Sequence, residues 1–177
     1  MQGSLFNFLH RRRVLIFSIM VVLVCLAAFA FIQGDVLMGK TDLLTMQTSF
    51  SVEKMETILA EWAPAGVAAY LRLMWADFFF PAAYALALAS GITLLAVPRG
   101  KTADKKVLFF MLLPFIAGLC DMIENIFHLF LLQNPQNLPA VPTFISACFA
   151  SVKWVLLFVS SLTLLAYSFL RFRHRND

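Results

Sequence analysis

The chain has 177 residues, of which 61% are hydrophobic and 14% are charged. A soluble domain usually carries about 25% charged residues, so the composition excludes an ordinary soluble domain and indicates an integral membrane protein. The net charge of +4 does not indicate a nucleic-acid partner, because the basic residues are clustered at the ends of apolar runs.

Four apolar runs are long enough to cross a bilayer, which takes about 20 residues. They cover about 14–33, 68–97, 106–132 and 143–170. We therefore expect an all-α fold, a polytopic membrane four-helix bundle formed by a single transmembrane domain over 1–177.

The charges between the runs predict the orientation of this bundle. Arginine and lysine residues cluster at 11–13, 99–106 and 171–175, whereas acidic residues outnumber basic ones in 34–67 and no charge lies in 133–143. The positive-inside rule then places the N- and C-termini on the cytoplasmic side of the plasma membrane.

The first run also has features of a secretory signal. Three arginines precede it, and Ala28, Phe29 and Ala30 imitate a cleavage site. The apolar run is about 19 residues long, which exceeds the usual core of a signal peptide, so we expect it to be retained as the first span.

The first extracytoplasmic loop, 34–67, is predicted to contain a short amphipathic helix. Its apolar residues recur at helical spacing: Val52, Met55, Ile58, Leu59 and Trp62. Ser49 or Ser51 can cap the start, and Pro64 with Gly66 can end it. Such a helix either lies on the membrane surface or covers the bundle without contacting lipid.

The second run places Asp77, Pro81 and Tyr84 on one helix face near the outer boundary. Pro81 has no N–H to donate to the carbonyl of Asp77, four residues earlier. Asp77 therefore offers both a carboxylate and a free carbonyl, which favours water, a cation or a donor side chain here.

The third run carries a polar stripe of Asp121, Glu124, Asn125 and His128. At 100° per residue these side chains fall within an arc of roughly 100° in its outer half. Charged groups at this depth cost about 2.5–3.5 kcal/mol each on insertion scales, so they need partners. The inner half has no charge, and we expect it to be sealed.

The fourth run supplies a partner for this stripe. Ser146, Lys153, Ser160 and Tyr167 follow at seven-residue intervals and share one face. Lys153 reaches a depth close to that of Asp121 and Glu124, where an ammonium group lowers the cost of burying two carboxylates.

Three helices thus bring polar groups to one predicted ligand-binding site. Its members are Asp77, Tyr84, Asp121, Glu124, Asn125, His128 and Lys153. The leading hypothesis is a pocket for a membrane lipid or amphiphilic small molecule, with no metal and no cofactor. A metal site and a proton pathway are less favoured, because Lys153 competes with a metal and the inner half offers no relay.

Two further hypotheses come from other functional classes. In the first, the protein is an intramembrane lipid-modifying enzyme that uses Asp121, Glu124 or His128 in acid–base chemistry. In the second, the protein is an accessory subunit whose polar network only specifies helix packing. Such a subunit has a membrane-protein partner or forms a homo-oligomer.

Two family resemblances follow from these motifs. The order of Gly34-Asp35, a loop helix and the segment from Trp75 to Tyr84 resembles the EXPERA superfamily of emopamil-binding sterol isomerase relatives. That resemblance implies that Asp77 and Asp35 line a pocket for sterols and cationic amphiphiles. The Asp-Phe-x-x-Pro and Asp-x-x-Glu-Asn segments resemble uncharacterised small bacterial four-span membrane proteins, which implies no function.

Overall fold

A computed structural model describes residues 2–36, 42–98 and 103–176, and these parts of the chain form seven helices and no strand. The helices are α1 (Gln2–Leu9), α2 (Arg12–Val36), α3 (Leu43–Gln47), α4 (Val52–Asp77), α5 (Phe80–Ala96), α6 (Lys105–Leu131) and α7 (Ala140–Asn176). The predicted all-α class is confirmed.

Within the described residues, three helices are long and apolar enough to cross a membrane by themselves: α2, α6 and α7. Helices α4 and α5 pass the same test only as a pair, and their axes differ by 43° across a short break. The described chain therefore has three candidate spans, or four if this bent pair is one span. The span that the sequence predicts over 68–97 is thus divided by a break between α4 and α5.

Helix α4 contains a kink of its own. Ala63 has φ 59° and ψ 175°, and it precedes Pro64, whose ring disfavours helical backbone at the residue before it. The hydroxyl of Ser51 caps the start of α4 by accepting from the backbone N–H of Lys54 at 3.3 Å. Ser51 is therefore the cap, and a second helical segment begins directly at Pro64.

The apolar face of the first part of α4 is buried inside the protein. Met55, Ile58, Leu59 and Trp62 join a core with the end of α6 and the α6–α7 connection. The rings of Trp62 and Tyr70 pack edge to face across the kink, with centroids 5.6 Å apart. This face therefore contacts protein, and it covers one end of the bundle.

The break between α4 and α5 lies at Phe78 and Phe79. Pro81 occupies the first turn of α5, where a missing N–H costs nothing because that turn has no intrahelical acceptor. The carbonyl of Asp77 is left at a helix end inside the bundle.

Helix α5 is the centre of the packing. It contacts α2 on one side and α7 on another, and α6 packs against both α5 and α7. A Cβ on Gly118 of α6 would lie 3.2 Å from the carbonyl oxygen of Pro81, so glycine permits the close approach of α6 to α5. Helices α2 and α7 scarcely contact each other, and a gap therefore runs between them along α5.

The bundle has two distinct ends. The α3 end contains α3, the first part of α4 and the α6–α7 connection. The arginine end contains the starts of α2 and α6 and the ends of α5 and α7. Leu9 of α1 is fully buried at the arginine end, against Ala89 and Met111.

Candidate functional site

All seven predicted site residues are buried and lie close to one another in the half of the bundle nearer α3. They come from four helices: Asp77 from α4, Tyr84 from α5, Asp121, Glu124, Asn125 and His128 from α6, and Lys153 from α7. The polar stripe of α6 therefore faces its neighbours in the bundle and not lipid.

Lys153 is the charged centre of this cluster. Its Nζ lies 3.0 Å from Oδ1 of Asp121 and 2.6 Å from Oε2 of Glu124. Tyr84 donates its hydroxyl to Oδ2 of Asp121 at 3.0 Å. The predicted partnership of Lys153 with the stripe is confirmed, and it joins α5, α6 and α7 through one carboxylate.

Of the three partners that the sequence allows for the Asp77 carbonyl (water, a cation or a donor side chain), the structure has a donor side chain. Nδ2 of Asn125 donates to this carbonyl at 3.3 Å. Because Pro81 cannot supply an N–H to this oxygen, the side chain of Asn125 satisfies a backbone acceptor that the helix break leaves open. This bond holds the break against the middle of α6.

His128 lies between the ion pair and Tyr70, an aromatic residue that is not among the predicted site residues. Its Nδ1 lies 2.8 Å from the hydroxyl of Tyr70 and 3.8 Å from Oε1 of Glu124. Among the described residues, no hydrogen-bond partner of its Nε2 is found. The tautomer of His128 decides whether Tyr70 or the imidazole donates. Tyr70, His128, Glu124 and Lys153 thus form a row of neighbouring polar groups, in which no hydrogen bond between His128 and Glu124 is found.

A cavity of about 570 Å³ reaches this cluster, and we call it the acidic cavity. Its ionisable and polar lining comprises Asp42, Gln47, Tyr70, Asp77, Tyr84, Asp121, Lys153 and Ser161. Its apolar lining includes Leu26 and Phe29 from α2, Leu73 and Phe80 beside the break, and Trp154 and Leu157 from α7. The volume lies within the usual range of small-molecule sites, about 300–1,000 Å³.

The acidic cavity lies in the gap between α2 and α7. Leu26 on one flank and Trp154 on the other are 46% and 43% exposed, whereas Asp77 and Asp121 at the inner wall are buried. If α2 and α7 cross a membrane, the cavity opens sideways into lipid.

Acidic residues outnumber basic ones on the cavity wall by three to one: Asp42, Asp77 and Asp121 against Lys153. Asp42 lies outside the candidate spans and caps α3. The backbone N–H of Thr45 donates to its carboxylate at 2.9 Å and lowers the pKa of Asp42, which keeps this group negative at neutral pH.

The cavity divides the predicted site residues into two groups. Asp77, Tyr84, Asp121 and Lys153 line it, whereas Glu124, Asn125 and His128 lie behind the wall and hold the lining residues in place. Tyr70 is not among the predicted site residues, although it precedes Asp77 by seven residues and therefore shares its helix face. Gln47 had no sequence signal, because it reaches the cavity from the five-residue helix α3.

The donor set limits the chemistry of the site. Among the described residues, no group of three or more His, Cys, Asp and Glu side chains is arranged to hold a metal ion. The cavity wall instead offers two buried carboxylates, two phenol groups and one ammonium group beside an apolar surface. Such a wall can bind a polar head group by ion pairing and hydrogen bonding, or it can transfer protons.

No protein-family model, curated protein or solved structure matches the chain. The resemblances to the EXPERA superfamily and to the bacterial four-span proteins therefore stay predictions. The side chain of Asp35, which the first resemblance implies in ligand binding, lies outside the described residues.

Proposed function

We propose that the protein is a four-span integral membrane protein whose acidic cavity binds an amphiphile with a cationic head group. The bent pair α4–α5 serves as one span in this proposal. The observation that carries it is the polarity of the cavity: buried acids at its inner wall, apolar side chains along its flanks and a lateral opening between α2 and α7.

The charge of the head group is inferred from Asp77. Lys153 forms ion pairs with Asp121 and Glu124, but among the described residues no basic group lies within ion-pair distance of Asp77. A buried carboxylate without a cationic partner is costly. An alkylammonium head group at the cavity wall supplies that partner and can also donate hydrogen bonds to Tyr70 or Tyr84.

The tail is inferred from the flanks of the cavity. Leu26, Phe29, Trp154 and Leu157 lie between the buried acids and the lateral opening. A hydrocarbon chain that enters between α2 and α7 remains in an apolar environment along its whole length. The ligand can therefore reach the site from the bilayer without crossing water.

The orientation of the bundle in this proposal follows the charge distribution. The arginine end is cytoplasmic, with both termini, and the α3 end is extracytoplasmic in the plasma membrane. The acidic cavity then opens to the outer leaflet, and the first part of α4 covers it on the extracytoplasmic side.

Quenching of Trp154 fluorescence by a brominated amphiphile tests the proposal. The protein carries Trp75→Phe, because Trp75 is 72% exposed and would report on bulk lipid, whereas the remaining Trp62 is fully buried and contributes a constant background. In nanodiscs, tail-brominated dodecylammonium should quench Trp154 saturably, whereas brominated dodecanol should quench without saturation.

Asp77→Asn should raise the half-saturating dodecylammonium concentration about ten-fold, which corresponds to about 1.4 kcal/mol. Glu53→Gln is the matched control, because it removes one exposed carboxylate from the same helix and should leave binding unchanged. Equal quenching by the amine and the alcohol would contradict the proposal.

A second candidate function is intramembrane acid–base catalysis on a lipid. It is favoured by one observation: the hydroxyl of Tyr70 lies on the cavity wall and is bonded to His128, so a proton can pass between them at the site. Mass spectrometry of a lipid extract incubated with the protein tests this function. A product that forms with the wild type and not with Tyr70→Phe supports it, and an unchanged lipid profile contradicts it.

A further inference from the structure

A second cavity lies at the other end of the gap between α2 and α7. It measures about 730 Å³ and is bounded by the start of α2, the end of α5 and the last part of α7. We call it the arginine groove. Helices α2 and α7 separate along α5 here as well. None of the described residues that line this groove belongs to α6, so the expectation that the inner half of the third run is sealed stays a prediction.

The lining of the arginine groove changes from basic to apolar along its length. Arg12, Arg171 and His10 lie at one part of the wall, and Leu15, Ile19 and Leu164 lie at another. No acidic residue is among the described residues that line it. The polar part of the arginine groove is thus basic, whereas acidic residues outnumber basic ones in the acidic cavity.

Arg171 is held in place by the end of α5. Its Nη1 donates to the carbonyl of Leu94 at 2.8 Å and to that of Leu95 at 3.3 Å. A guanidinium group has five N–H donors, and these two bonds leave the donors on Nε and Nη2 for another acceptor. A side chain that is already ordered loses little conformational entropy when it binds an anion.

His10 contributes a second polar group to the same wall. Its Nδ1 is buried, and no hydrogen-bond partner for it is found among the described residues. His10 ends the turn that connects α1 to α2, so its position is set by the burial of Leu9 in the core. His10 therefore lies at a fixed position in the groove wall beside two arginines.

We infer that the arginine groove binds an anionic phospholipid, with the phosphodiester between Arg12 and Arg171 and an acyl chain against the leucine and isoleucine side chains. Arginine suits a phosphate because its planar fork can donate two parallel hydrogen bonds to two oxygens. The apolar part of the groove distinguishes a lipid from a soluble phosphate. This inference does not depend on the ligand of the acidic cavity.

Native mass spectrometry of the full chain in detergent micelles tests this inference. The probes are phosphatidylglycerol, phosphatidylcholine with the same acyl chains, and glycerophosphoglycerol, which has the head group without the tails. The affinity for phosphatidylglycerol should be at least about ten-fold higher than that for phosphatidylcholine. Glycerophosphoglycerol should not bind measurably. Tight binding of glycerophosphoglycerol would overturn the lipid assignment in favour of a free phosphodiester.

The decisive comparison uses two double variants with the same change of net charge. Arg12→Gln with Arg171→Gln should reduce phosphatidylglycerol affinity about ten-fold, whereas Arg13→Gln with Arg173→Gln should change it less than about two-fold. Equal losses in the two variants would overturn the site in favour of diffuse attraction to the basic surface.

Single variants keep the test decisive if the loss of Arg171 from the end of α5 prevents folding. Arg12→Gln should weaken phosphatidylglycerol binding more than Arg13→Gln does. Ile19→Trp, which fills the apolar part, should weaken the binding of both phospholipids. Unchanged binding in Arg12→Gln and Ile19→Trp would also overturn the inference.

Discussion

Asn125 of α6 donates its side-chain amide to the backbone carbonyl of Asp77, 3.3 Å away at the break between α4 and α5. Because Pro81 has no N–H, that carbonyl lacks its usual donor within the helix, and the polar stripe of α6 supplies one. The same bond fixes the end of α4, and with it the position at which the carboxylate of Asp77 lines the acidic cavity. The helix break and the polar stripe are therefore coupled through this hydrogen bond.

Asn125→Ala should destabilise the protein by about 1–3 kcal/mol, because it leaves a buried carbonyl without a donor. Unfolding in mixed micelles with increasing sodium dodecyl sulfate measures the difference. Ile126→Ala is the control: Ile126 is the next residue on α6 and is 60% exposed, so its truncation should cost less. A larger loss from Ile126→Ala would contradict the role of Asn125.

A double variant separates this bond from simple loss of packing. Pro81→Ala restores an N–H four residues after Asp77, and this N–H can satisfy the carbonyl if the helix closes over the break. The cost of Asn125→Ala should therefore be smaller in the Pro81→Ala background than in the wild type. Strictly additive effects would show that the two residues are not coupled through the carbonyl of Asp77.

Lys153→Met should destabilise the protein by about 3–5 kcal/mol, since it leaves the carboxylates of Asp121 and Glu124 buried without their cation. Lys54→Met, at an exposed position of α4, should lie within about 0.5 kcal/mol of the wild type. The same unfolding assay compares the two variants.

Neutralising the two carboxylates should reverse much of this loss. In a background of Asp121→Asn and Glu124→Gln, Lys153→Met should cost much less than it does alone, because no buried charge is left unpaired. An equal cost in both backgrounds would mean that Lys153 contributes through packing alone.

The sequence predicts much of this architecture because a chain that crosses a bilayer needs long apolar helices and partners for its buried charges. Apolar runs of about 20 residues mark α2, α6 and α7, and the seven-residue spacing of Ser146, Lys153 and Ser160 correctly turns the ammonium group toward the stripe. The free carbonyl of Asp77 also follows from proline chemistry alone, although its partner Asn125 does not. Each of these features depends on local spacing.

Features that depend on contacts between distant segments were not predictable in this way. Pro64 suits both the end of one helix and the first turn of the next, and local spacing does not show that the two helices join directly at this residue. The division of the stripe into Asp121 on the cavity wall and Glu124, Asn125 and His128 behind it depends on where α2 and α7 separate. That separation is a property of three-dimensional packing around α5.

Gly118→Ala should lower stability, whereas Gly91→Ala should raise it by up to about 1 kcal/mol through better helix propensity. A Cβ at Gly118 meets the backbone carbonyl of Pro81 at 3.2 Å, which cannot move without shifting α5. A Cβ at Gly91 meets Cδ1 of Leu164 at 2.8 Å, and its other neighbours are side-chain atoms at 3.8 Å or more. The flexible side chain of Leu164 can turn into the arginine groove. Thermal unfolding of the two variants under one condition gives the comparison, and a stabilised Gly118→Ala would contradict the close packing of α5 and α6.

Ala63→Gly should stabilise the protein by about 1 kcal/mol, because Ala63 has φ 59° and ψ 175°, a region that is nearly restricted to glycine. Ala60→Gly, three residues earlier in regular helix, should destabilise it by about 0.5–1 kcal/mol. Chemical unfolding measures the change in stability of each variant. Changes of opposite sign support the kink at Ala63, and losses of equal size in the two variants would argue for continuous helix there.

Photocrosslinking tests the amphiphile-binding proposal most directly. A long-chain alkylammonium with a diazirine in its tail is irradiated with the protein in nanodiscs, and labelled peptides are identified by mass spectrometry. We expect labels on Leu26 or Phe29 of α2 and on Trp154 or Leu157 of α7. Asp77→Asn should reduce these labels about ten-fold, and Glu53→Gln should not. Labelling spread equally over exposed positions of α6 such as Phe109 and Ile116, and unchanged by Asp77→Asn, would contradict the proposal.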